Sequence, residues 1–171
     1  MQEQAELKKT ELIRVASIVL KHDEGDGLPG RSGKPYRDTN GYWTIGHGHY
    51  IGTTLEALYL SPAVMSLMLI EDIESHLPEA IKIVGEHVFS SLTTARKVAL
   101  LSMVYTLGRN KFLQFAPTID AIKAGRWDEV SSRILKSKWA TDVDPKKRDN
   151  EGRDDRIAYM FRTGELHPDY C

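Results

Sequence analysis

The chain of 171 residues is long enough for one domain, or for two lobes sharing a long element. With 41% hydrophobic and 27% charged residues and a net charge of -1, it has the composition of a soluble globular protein, not of a fibrous or disordered one. Cys171 is its single cysteine, which excludes an intrachain disulfide and suits folding in a reducing compartment.

In chain order, residues 3–22 read as a helix, with Leu12, Ala16, Val19 and Leu20 returning at helical spacing. Arg14 interrupts its apolar stretch and Lys21-His22-Asp23 follows without a small-residue cleavage site, so a signal peptide is not expected. No segment approaches the roughly 18 to 20 apolar residues that span a bilayer. Gly25 to Gly52 is rich in Gly, Pro and Asn; with Tyr36, Tyr42, Trp43, Thr44 and Ile45 it predicts a hairpin or three short strands turning at Asn40-Gly41.

Ser61-Pro62 predicts an N-cap and a first helical proline, opening a long helix that runs to about Val84 despite Pro78. Its named apolar positions are Val64, Leu67, Met68, Ile73 and Leu77. Thr93 caps a run from Ala95 to Leu107 that is apolar on nearly all sides, and Gly108 ends it; this is a buried core helix. Further helices are expected from Ala116 to near Gly125, from Trp127 to Lys136 and from Arg156 to Phe161, with a charged loop from Thr141 to Asp155. The expected organisation is an N-terminal lobe over 1–60, a connecting helix over 61–84 and a helical lobe over 85–171.

Charge is unevenly spread. Residues 1–93 hold 8 Lys and Arg against 13 Asp and Glu, while residues 94–171 hold 15 against 11. Such an asymmetry can orient an anionic polymer, but a basic stripe with interleaved aromatics is absent, so nucleic acid is not the expected partner.

Chemistry concentrates around the hairpin. Glu24 stands where the first helix gives way to the glycine-rich segment, and Asp38 and Thr44 lie within it. Each alone is ordinary: a solvated helix end, a turn former, a strand residue. Together they supply two carboxyls and a hydroxyl, and glycoside hydrolysis needs one carboxyl to protonate the leaving oxygen and another to activate water or attack the sugar. Two other patterns are decoys. Gly25-Asp26-Gly27-Leu28-Pro29-Gly30 fits a dinucleotide fingerprint in letters but follows a helix and contains proline. His47-x-His49 has no third ligand at suitable spacing, so no metal is expected.

Tyr36-Arg37-Asp38, Gly41, Thr44-Ile45-Gly46, Gly48 and His49 resemble the signature of the T-even phage lysozymes, glycoside hydrolase family 24. The resemblance extends through Leu92 to Gly108, Arg126-Trp127-Asp128-Glu129, Lys136-Ser137-Lys138-Trp139 and Phe161-Arg162-Thr163-Gly164. It implies an α+β, mostly helical, lysozyme-like fold: a small lobe with a hairpin or three-stranded sheet, a long connecting helix, a helical lobe, and peptidoglycan in the cleft between the lobes. It further implies Glu24 as general acid, Asp38 as support for water and for positive charge on the sugar, and Thr44 as a holder of that water, in an inverting reaction. Arg153 resembles the arginine that pairs with the catalytic Glu, and His49 the histidine that pairs with an acid of the next helix, here Asp72. Tyr50, Tyr105, Thr118 and Arg133 match sugar-contacting positions, Arg133 replacing the usual asparagine.

The family separates its two acids by eight residues, whereas thirteen stand between Glu24 and Asp38 and make Asp26 a rival carboxylate. The implied protein is a monomeric muramidase without cofactor, an endolysin made in the host cytoplasm and released to the periplasmic cell wall by a holin. The catalytic part of a bacteriocin or antibacterial effector, or an idle glycan-binding module, are the alternatives.

Overall fold

A computed structural model describes residues 2–23, 34–53, 60–143 and 152–170. Glu24, Asp26 and the rest of the inter-acid segment as far as Gly33, together with Cys171, lie outside the described residues. Helices dominate, with one small antiparallel sheet among the described residues, which is the α+β architecture expected.

The chain forms two compact units, Met1–Ser75 and His76–Cys171. In the first, α1 (Gln2–Asp23) is followed by β1 (Tyr36–Arg37), β2 (Trp43–Ile45) and β3 (His49–Gly52), arranged β1-β2-β3. Helix α1 buries Leu12, Val15, Ala16, Val19 and Leu20, the stripe that a 3.6-residue period turns to one side. Tyr36 pairs with Thr44, and Thr44 with Tyr50, with a register irregularity between Trp43 and Thr44.

Helix α2 (Pro62–Val84) runs from the first unit into the second and continues through Pro78. Ser61 Oγ accepts from the Val64 N–H at 3.3 Å, a cap on its first turn. Its buried stripe is Met65, Leu69, Ile73, Leu77, Ala80 and Val84, whereas Val64 and Leu67 are exposed. The stripe follows the i, i+4 row one residue beyond Val64. A first turn that is apolar on more than one side does not reveal by pattern which side meets a neighbour.

The second unit contains the rest of α2, then α3 (Glu86–Ser91), α4 (Thr94–Leu107), α5 (Arg109–Phe112), α6 (Ala116–Lys123), α7 (Trp127–Leu135), α8 (Lys138–Val143) and α9 (Arg153–Thr163). Helix α4 is its core, burying Ala95 and every residue from Val98 to Val104. Thr93 caps it by accepting from the Arg96 N–H, and Gly108, at φ 70°, ends it. Three short helices, α3, α5 and α8, were not expected from sequence. Helix α8 occupies the start of the expected 141–155 loop, and α9 begins three residues earlier than Arg156.

The ends of α4 and α9 are tied together. Thr93 Oγ1 donates to the Gly164 carbonyl at 2.9 Å, and Arg96 donates from Nε to Phe161 O at 3.0 Å and from Nη2 to Arg162 O at 3.3 Å. Arg96 also lies 4.0 Å from the Trp127 ring centroid, and its burial lowers its pKa from the usual guanidinium range. A cation on carbonyls left open at a helix C-terminus satisfies both the hydrogen bonding and the dipole. Gly164 sits at φ 79°, and a Cβ there would come within 3.2 Å of Arg96 Cζ.

Candidate active site

The β1–β2 connection fixes Asp38. Its backbone N–H donates to Tyr42 O at 2.9 Å, its carbonyl accepts from Gly41 at 3.0 Å, and Gly41 takes the positive φ of 80° that closes the turn. The side chain adds an Asx arrangement: Oδ1 accepts from the Asn40 N–H at 2.9 Å and from the Tyr42 N–H at 2.8 Å. Two bonds to backbone N–H groups therefore orient the carboxylate, and two more fix the backbone that carries it. Among the described residues, Oδ2 accepts no hydrogen bond.

Thr44, two residues beyond Tyr42 in the central strand, is 4% exposed. Its Oγ1 donates to the Tyr42 carbonyl at 3.4 Å, at the long end for such a bond. The backbone of Tyr42 thus carries both Asp38 and Thr44. The hydroxyl hydrogen is engaged with a carbonyl, so the oxygen keeps lone pairs to offer a water.

His49 starts β3, and its Nδ1 lies 2.8 Å from Asp72 Oδ2, fastening the sheet to α2 within the first unit. The two residues of that expected pair are thereby brought together. Tyr50 is 59% exposed, with its ring edge-to-face with Tyr42.

In the second unit, Tyr105 is half-buried on α4, 5.3 Å from the His76 ring centroid. Thr118 lies in the first turn of α6 and is 3% exposed, so only its margin is open to a ligand. Arg133 is exposed on α7, and its Nε donates to Glu129 Oε1 at 2.7 Å. Glu129 also accepts from Arg126 Nε at 2.6 Å; these hydrogen bonds, the Arg126 bond foremost, hold its carboxyl below the usual carboxylate range. Arg153 is the first residue of α9 and donates from Nη2 to Thr106 Oγ1 at 2.7 Å. Sequence reasoning had no signal for Thr106, because the contact joins positions 47 residues apart.

No group of three or more His, Cys, Asp or Glu side chains suited to a metal occurs among the described residues, nor is any described helix long and apolar enough to cross a membrane. A groove of about 480 Å³ between α1 and α2 is lined by Ile13, Ile18, Lys21 and Ile70 among others. Neither Asp38, Thr44 nor Tyr50 lines it, so it is separate from the hairpin chemistry.

A model of the phage lysozyme family matches residues 27–152, a span that includes Asp38, Thr44 and His49 and leaves Glu24 and Asp26 outside at one end and Arg153 at the other. A probable T4-type lysozyme of Dictyostelium discoideum is 28% identical over 90% of this chain and 98% of its own length. The peptidoglycan hydrolase gp36 of Pseudomonas phage phiKMV is 26% identical over 64% of this chain, which corresponds to 12% of that larger protein. The SAR-endolysin of Enterobacteria phage P21 is 28% identical over 58% of this chain and 59% of its own length.

Proposed function

Since the chain belongs to the phage lysozyme family, we propose that it hydrolyses the β-1,4 bond between N-acetylmuramic acid and N-acetylglucosamine in bacterial peptidoglycan. It is a glycoside hydrolase of the lysozyme type. Support for the specific reaction comes from the shared Tyr42 anchor, which fixes a carboxylate and a hydroxyl six positions apart at one turn.

In this reading Glu24 is the general acid that protonates the glycosidic oxygen. Asp38 stabilises the positive charge developing on the sugar and polarises the attacking water through its open Oδ2. Thr44 accepts a hydrogen from that water, which turns a water lone pair toward the anomeric carbon. Orientation by backbone bonds means that neither group has to be reorganised as the reaction proceeds. Tyr50, Tyr105, Thr118 and Arg133 are the proposed glycan contacts, with Arg153, His49 and Asp72 in supporting roles.

The cellular role proposed is that of an endolysin, a monomer made in the host cytoplasm and admitted by a holin to the cell wall in the periplasm, ending in host lysis. Phage relatives named as a peptidoglycan hydrolase and an endolysin support it. Purified protein should clear a suspension of outer-membrane-permeabilised cells and release new reducing ends. Glu24→Gln should abolish clearing while the thermal unfolding curve is kept. A folded wild-type protein that clears nothing would leave a glycan-binding module, and full activity in Glu24→Gln would move the acid role to Asp26.

A further inference from the structure

Two aromatic rings on the first unit's sheet stand in solvent side by side. Tyr42 is 45% exposed and Tyr50 59%, with centroids 5.6 Å apart and ring planes at 83°. The turn does not require the Tyr42 ring, because Tyr42 holds Asp38 and Thr44 through its backbone N–H and carbonyl, which another residue would also supply. The neighbouring Trp43, by contrast, is covered by the Arg37 guanidinium at 4.5 Å from its centroid, so its ring is already occupied.

Placement makes the exposed pair informative. Thr44 is the direct cross-strand partner of Tyr50, so their side chains share one face of the sheet. Tyr42 leans its ring on Tyr50 and bonds Asp38 through its backbone. Exposed aromatic surface is thereby tied to the hairpin at two points, through the Tyr42 backbone that holds Asp38 and through Tyr50 opposite Thr44. Rings at right angles present two perpendicular apolar faces, a corner into which a flat pyranose can set its C–H face on one ring and an acetamido methyl on the other.

We propose that Tyr42 and Tyr50 form a stacking corner for one N-acetylated pyranose of the glycan, with Tyr42 as a further substrate-positioning residue beside Asp38. This rests on the muramidase reading above. The corner binds through shape and C–H contact and takes no part in proton transfer, so its loss weakens substrate capture and leaves the chemical step intact. Tyr42's hydroxyl is not needed for stacking, so a phenylalanine serves equally.

The test uses the full chain and a soluble oligosaccharide of alternating N-acetylglucosamine and N-acetylmuramic acid. Tyr42→Ala should raise KM about tenfold with kcat within about twofold of wild type, the size expected for one lost stacking contact. Tyr42→Phe should restore the wild-type KM. Tyr42→Leu, which keeps the backbone N–H and carbonyl and an apolar side chain but loses the aromatic face, carries the same KM expectation and decides the matter if Tyr42→Ala unfolds. Unchanged KM in Tyr42→Ala or Tyr42→Leu, alongside normal wild-type turnover, overturns the corner alone, as does a loss confined to kcat. Wild-type protein that is folded yet does not cleave the oligosaccharide overturns the muramidase reading and the corner with it.

Discussion

The Asp38 carboxylate is anchored to the backbone N–H of Tyr42, 2.8 Å from its Oδ1. An asparagine at position 38 keeps a carbonyl oxygen for that N–H and for the one on Asn40, but has no negative charge. Asp38→Asn should therefore fold with a midpoint close to wild type while losing activity by about 100-fold or more, the scale of a removed electrostatic stabiliser. Asp38→Ala should lose both activity and about 1–2 kcal/mol of stability, because two N–H groups lose their acceptor. Parallel clearing assays and thermal melts separate the two effects.

Glu129 sets an acid-dependent prediction. Folding lowers its pKa below the usual value of 4.5, first through the Arg126 hydrogen bond and then through Arg133. The stabilisation is therefore fully present above that value and is lost as pH falls through the lower, folded one. Glu129→Gln should lower the melting midpoint slightly at neutral pH and converge on wild type in strong acid. A melting series across pH 2 to 7 checks this; because the pair is exposed, high salt should shrink the difference.

Phe112 is fully buried on the single-turn helix α5 and stacks near Phe115, with centroids 6.0 Å apart. Phe112→Ala should destabilise by about 3–5 kcal/mol through lost transfer energy and the cavity left behind. Chemical denaturation followed by far-UV circular dichroism would measure it, and Phe112→Leu should recover much of the loss.

Gly164 combines a left-handed backbone with close approach to Arg96. Gly164→Ala should lower stability by about 1–2 kcal/mol from backbone strain alone. Arg96→Lys should also destabilise, since one ammonium cannot reproduce the guanidinium's bonds to both Phe161 O and Arg162 O while lying flat on Trp127. Thermal melts of both single variants and the double variant should show non-additive losses.

The hairpin was legible because its information is local: Asn40-Gly41, the alternating Tyr36 to Ile45 segment and the positive-φ Gly46 and Gly48 lie within a few residues of one another. Helix α4 was legible for a different reason, since a run apolar on all sides has only the interior to go to. The short helices α3 and α5 were not, because six and four residues carry too little periodicity to separate a helix from a turn. The start of α9 was hidden by charge: Arg153-Asp154-Asp155 reads as solvated loop, yet Asp154 is buried. Its available cue was Asp155 at the third helical position, whose Oδ2 accepts from the Gly152 N–H at 3.3 Å. At the site, residue types were readable, while the Tyr42 anchor and the Arg153–Thr106 bond depend on geometry that no spacing encodes.

The tie between Thr93, Arg96 and Gly164 also bears on synthesis. Thr93 and Gly164 are 71 positions apart, so the loop they close can form only after nearly the whole second unit has left the ribosome. Until then the α9 carbonyls that take Arg96 do not exist, and α4 emerges with most of its surface apolar and uncovered. A nascent chain paused before Phe161 should consequently engage holdase chaperones through α4, and release should coincide with the appearance of the last helix.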